Sequence, residues 1–101
     1  LMKAEAMLRA GGDATTMVND LRTLRGATPL GSVSEADLLA ERGRELYIEF
    51  WRRNDMLRFG QFTRDWEFKN PESVGDETRN LYPIPINALL SNPNLEQNPG
   101  Y

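Results

Sequence analysis

Apolar residues recur at helical spacing through the first half of this 101-residue chain and lose that rhythm in the second. In LMKAEAMLRA, residues 1–10, Leu1, Ala4 and Leu8 fall on one face, and Gly11-Gly12 ends the run. Asp13 is a good N-cap for the next segment, where Ala14, Met17, Val18, Leu21 and Leu24 form a stripe that Gly26 closes. The pattern predicts a helix hairpin over residues 1–26, the unit of tetratricopeptide-like stacks. Only one hairpin is present, and the signature residues of that repeat are not clearly matched.

ATPLGSV, residues 27–33, is turn-rich, and Ser34 then caps a helix with Glu35 and Asp37 in its first turn. The periodicity predicts one long helix over 34–60, with Gly60 at its C-terminal cap, roughly 39 Å long at 1.5 Å per residue. Leu46, Tyr47, Ile48, Phe50 and Trp51 cover a wide arc of such a helix, which implies burial on more than one side. Glu41, Arg42, Glu45, Glu49, Arg52 and Arg53 share the remaining arc, with Asp55 spaced three residues from both Arg52 and Arg58. From these, Glu45, Glu49, Arg52 and Asp55 are expected to form a structural charge network.

Residues 61–80 keep no period and read as a long loop, a length uncommon unless it is functional or disordered. LYPIPI, residues 81–86, is extended because Pro83 and Pro85 bias the residues before them away from helix. One helical turn fits Asn87–Ser91. The ending NPNLEQNPGY carries enough proline and asparagine to be preorganised against something, with Leu95 and Tyr101 as expected anchors. The fold class expected is therefore mostly all-α: a hairpin, a long helix, a long loop and an extended, proline-rich tail over 81–101. The whole chain reads as a single piece.

Composition narrows the chemistry. Cysteine and histidine are both absent, which removes disulfides, thiolate nucleophiles, most zinc sites and the commonest general base. A net charge of −3 gives no general attraction for nucleic acid or anionic lipid. No run is long and apolar enough to span a bilayer. Glu41, Glu45 and Glu49 lie one turn apart, but arginines interleave them, so a paired structural face is the better reading than an acid/base or metal cluster. No catalytic, metal-ligating or cofactor-binding residue is expected, and no cofactor.

The candidates for ligand binding are Trp66, Phe62 and Phe68, aromatics on a polar loop that could serve as a platform for flat apolar faces such as those of sugars. The competing expectation is that they clip the loop onto the core, and it is preferred here. Exposed aromatics would reverse that preference.

Residues 41–60, ERGRELYIEFWRRNDMLRFG, followed after a variable loop by LYPIPINALLSNPNLEQNPGY, residues 81–101, resemble the C-terminus of the SusD/RagB family. The matching positions are Glu41, Arg44, Glu45, Leu46, Glu49, Arg52, Asp55, Arg58 and Gly60, then the Pro-Ile-Pro and Asn-Pro-Gly-Tyr elements. The resemblance implies the C-terminal piece of a longer outer-membrane, cell-surface lipoprotein of nutrient uptake, anchored by an N-terminal lipid absent here. Such a protein captures glycans or other nutrients for a SusC-like TonB-dependent transporter and is not an enzyme. The resemblance makes this segment mainly scaffold, with the glycan bound mainly elsewhere, and Leu1, opening directly on a helical pattern with no signal peptide, fits a piece of something longer. One departure is Phe50: the family often has glycine after the glutamate matched to Glu49, where it would let a neighbouring backbone approach closely. The alternative reading is a free-standing helical adaptor that binds a peptide or protein partner.

Overall fold

The computed structural model describes residues 1–101, and it divides into two compact units, Leu1–Phe59 and Gly60–Tyr101. It is helical, with no strand. The first unit holds α1 (Met2–Arg9), α2 (Thr15–Leu24), α3 (Glu35–Glu45) and α4 (Arg52–Arg58).

Local sequence chemistry sets most of these boundaries. Helix α1 ends where Gly12 N–H donates to the Met7 carbonyl and Gly11 N–H to the Leu8 carbonyl, with Gly11 at φ +78°. Helix α2 closes the same way: Ala27 N–H reaches the Arg22 carbonyl, Gly26 N–H the Thr23 carbonyl, and Gly26 sits at φ +70°. Both are left-handed caps that satisfy the last carbonyls of a helix. Asp13 acts one residue earlier than expected, since Ala14 is the N-cap and Asp13 Oδ1 accepts the Thr15 N–H at 2.8 Å. Ser34 and Asp37 form a reciprocal capping box at the start of α3.

Between α2 and α3, the amide of Asn19 exchanges two 2.8 Å bonds with the backbone of Leu30, and Thr15 Oγ1 accepts from Val33 N–H. These bonds lay the connection over the core of Ala4, Ala14, Val18, Val33 and Leu38, against which Leu1, Leu8, Met17, Leu30 and Phe59 also pack. Arg9 stacks on the Phe59 ring at 5.0 Å.

The long helix expected over 34–60 is not continuous. It stops at Leu46 and restarts at Arg52, with Ile48 at φ +66° and Phe50 at φ +62° between. The physical reason lies in what the break brings together. Thirteen residues along one helix would separate positions 42 and 55 by about 20 Å, yet Arg42 Nη2 lies 2.9 Å from Asp55 Oδ1. Helix α4 folds back on α3, Arg52 Nη1 donates to the Leu39 carbonyl at 2.9 Å, and a Cβ on Gly43 would sit 2.7 Å from the same nitrogen. The break also explains the departure at position 50. Glycine suits a left-handed φ, and Phe50 bears that conformation with a side chain 93% exposed.

In the second unit the expected loop contains two 3₁₀ turns, Pro71–Ser73 and Glu77–Asn80, before α5 (Ile86–Ser91). Asn70 and Asp76 cap those turns through their side-chain oxygens, and Gly75 N–H closes onto the Thr63 carbonyl at 2.8 Å. The tail docks within this unit. Gln97 accepts from Ile84 N–H at 2.7 Å and donates back to the Ile84 carbonyl at 3.0 Å, and Asn98 donates to the Tyr82 carbonyl. The expected anchors behave differently: Leu95 stays exposed, and Tyr101 holds through its hydroxyl on the Leu81 carbonyl, not by burying its ring.

Candidate functional site

Several charged side chains of the first unit form ion pairs that cross between helices. Arg42 and Asp55 are almost wholly buried, and Arg58 joins them at 3.0 Å from Asp55 Oδ1 while also reaching Glu5 at 2.7 Å. Arg42 Nε and Asp55 Oδ2 are buried without a hydrogen-bond partner. A pair desolvated this far contributes little net stability while intact, and removing one member strands the other charge.

Glu41 receives Arg22 at 2.6 Å and Arg44. Burial pushes the Glu41 carboxyl upward, but Arg44 and Arg22 outweigh it and hold the group below its ordinary value. Glu45 takes two bonds from Arg25, at 2.6 and 3.1 Å, and is held low by that hydrogen bonding.

The four residues expected to form one network are therefore placed apart in role. Asp55 pairs with Arg42 and Arg58, Glu45 with Arg25, and Arg52 binds a backbone carbonyl. Glu49 is exposed and enters none of the ion pairs. Sequence spacing missed Arg42 as the partner of Asp55 because it assumed a continuous helix. It also missed Arg22 and Arg25, whose carboxylates lie 19 and 20 residues away. These pairs occupy both Glu41 and Glu45, so their chemistry is cross-bracing of helices.

Beside the helix break lies a hollow of about 460 Å³ lined by Leu46, Tyr47, Ile48, Phe50, Arg42 and Arg52. Tyr47, Ile48 and Phe50, members of the wide apolar arc, are exposed, and Trp51 is half exposed.

The aromatic candidates lie in the second unit. Lys69 N–H donates to the Trp66 carbonyl at 3.1 Å, closing a turn whose third residue, Phe68, has φ +65°. The Lys69 ammonium sits 4.3 Å from the centre of the Trp66 ring and donates to the Phe62 and Arg64 carbonyls. Trp66 is 40% exposed and Phe68 96%. No residue of this unit is buried; Phe62 is half-buried, while the exposure of Trp66 and Phe68 favours display over packing for those two. Phe62, Thr63, Trp66, Lys69, Ser73 and Arg79 surround a hollow of about 170 Å³.

The model of the SusD family (SusD_RagB) matches residues 1–101. The chain belongs to the SusD family. It is 41% identical to the starch-binding protein SusD of Bacteroides thetaiotaomicron, in an alignment that covers all of this chain and 20% of that protein. The chain thus spans about one fifth of the length of that SusD relative. No helix here is long and apolar enough to cross a membrane.

Proposed function

We propose that this chain is the C-terminal part of a SusD-like glycan-binding lipoprotein of the outer membrane, working on the cell surface with a SusC-like TonB-dependent transporter. The observation that carries the reading is the 41% identity to a starch-binding protein across the whole chain. Within the parent the segment is chiefly scaffold and not a catalyst. Its glutamates at 41 and 45 are held by arginines and kept ionised, which leaves neither suited to act as a general acid at neutral pH. An N-terminal lipid on the parent supplies the membrane attachment.

The test uses the full-length parent. Electrophoresis through gels containing soluble starch or other polysaccharides is expected to retard it, and the transporter encoded beside it is expected to co-purify. Free migration through every polysaccharide, with no transporter recovered, would overturn the reading and favour the adaptor alternative. Glycoside hydrolysis lost on Glu45→Gln would overturn the non-enzymatic part alone.

A further inference from the structure

We propose that the Trp66–Lys69 turn is itself a saccharide contact, in which Trp66 and Phe68 stack on the apolar face of a neutral sugar ring. The inference rests on the glycan-binding reading above and adds to it a contact made by this segment.

The first ground is strain without return inside the chain. A turn whose third residue has positive φ is built most cheaply with glycine or asparagine there. This one uses phenylalanine, at φ +65° and 96% exposed, so no packing within the chain offsets the conformation. An observed backbone outlier of this kind points to a role for the side chain it displays.

The second ground is preorganisation. The Lys69 ammonium lies over one face of Trp66 at 4.3 Å and is itself tied to the Arg64 carbonyl at 2.6 Å and the Phe62 carbonyl at 3.3 Å. The indole is thereby oriented before any ligand arrives, which lowers the ordering cost of binding. Around it, Thr63 bonds Glu77, Ser73 bonds the Asn70 carbonyl, and Asn70 and Asp76 cap their turns.

The third ground is the chemistry of the rim. The adjoining hollow, about 170 Å³, combines the aromatic surfaces of Phe62 and Trp66 with the hydroxyls of Thr63 and Ser73 and the guanidinium of Arg79. A pyranose ring presents apolar C–H faces and a girdle of hydroxyls, which is the same alternation. Arg79 is paired with Asp76 at 2.8 Å and Lys69 with carbonyls, so the cations are engaged and a neutral ligand is favoured over an anion. The volume is below the roughly 300–1,000 Å³ of enclosing small-molecule pockets. It suits one ring of a longer glycan resting on the surface.

The experiment is calorimetric titration of the full-length parent with maltoheptaose, cellohexaose and xylohexaose, with thermal unfolding of each unliganded variant. Trp66→Ala is expected to weaken the binding seen in wild type about tenfold. Phe68→Gly is expected to weaken it about threefold while leaving the melting temperature unchanged or raised, since glycine relieves the left-handed φ. If Trp66→Ala does not fold, Phe68→Gly carries the test alone. Wild-type binding with unchanged affinity in both variants overturns this inference and leaves the glycan-binding reading standing. So does a Phe68→Gly protein that melts lower with affinity intact, which would make Phe68 a packing residue of the parent. Wild type that binds none of the three sugars, or any polysaccharide in the gel assay, overturns both.

Discussion

Residues 1–59 bury seven apolar side chains and the charged residues Glu41, Arg42 and Asp55, whereas residues 60–101 bury no side chain at all. The first unit is held by apolar burial braced with ion pairs between helices. The second is held by side-chain amides and carboxylates that take the place of a backbone ladder: Asn70, Asp76, Gln97 and Asn98 each satisfy main-chain groups of neighbouring turns. Each such bond contributes only about 0.5–1.5 kcal/mol net, so the second unit is shaped more firmly than it is stabilised. The difference teaches that a defined conformation does not require a core. It also separates the residues that hold the chain together from those that face solvent.

The sharpest way to break that contrast is to attack the buried pair. Asp55→Ala leaves Arg42 charged, desolvated and unpaired, and is expected to cost about 3–5 kcal/mol in urea unfolding. A loss below about 1 kcal/mol would mean that the pair is not buried in solution and that the two units are held alike.

Gln97→Ala removes both bonds to Ile84 and is expected to cost about 1–2 kcal/mol. Hydrogen exchange should locate the effect, with the Ile84 and Asn98 amides exchanging faster and those of α2 and α3 unchanged. Uniform acceleration across the chain would show one cooperative body instead of two regimes.

Phe50→Gly is expected to stabilise the first unit by about 1 kcal/mol, because glycine adopts φ +62° without strain and the lost side chain is exposed. A loss of stability would place Phe50 in a contact made in the parent.

The smallest effect concerns acid, which should not distinguish the units. Hydrogen bonds from Ser34 hold Asp37 below its ordinary value in the first unit, and those from Thr78 do the same for Asp76 in the second. A carboxylate with a depressed folded pKa contributes stability at neutral pH that is lost as pH falls through and below the ordinary carboxylate range, about 4. Circular dichroism and amide exchange followed from pH 6 to 2 should therefore show both units losing protection in that window. Loss above pH 5 in either unit would contradict the assignment.

Much of the fold was legible in the residues, and the legible parts share a property. Gly11, Gly26, Ser34 and Gly60 mark helix ends through contacts that span only a few residues, so spacing alone predicts them. The stiff ending was legible for the same reason: prolines and asparagines write their turns locally. What the tail binds was not, because Gln97 meets Ile84 thirteen residues away and nothing in either residue announces the other.

The candidate aromatics could be picked out from their place on a polar loop. Their exposure could not be read there, since a loop without a core cannot be told by composition from one pinned to a core.

The helix break is the most instructive failure. Between Ser34 and Phe59 no helix-stopping residue marks the break: there is no proline, and the only internal glycine is at position 43. Two left-handed residues, Ile48 and Phe50, carry apolar side chains that local preference disfavours there. Only the pairing of Arg42 with Asp55, and of Arg52 with the Leu39 carbonyl, gives the turn its purpose.

By itself, then, the chain's sequence determined helical content, helix ends, the stiff tail, the family and the absence of cysteine and histidine chemistry. All of these rest on local geometry or on the residues present. Tertiary structure alone decided where the long apolar-and-charged segment bends, which arginine meets which carboxylate, and which aromatics face solvent. Each of those depends on groups distant in sequence competing for the same buried space, and no local rule ranks such competitors.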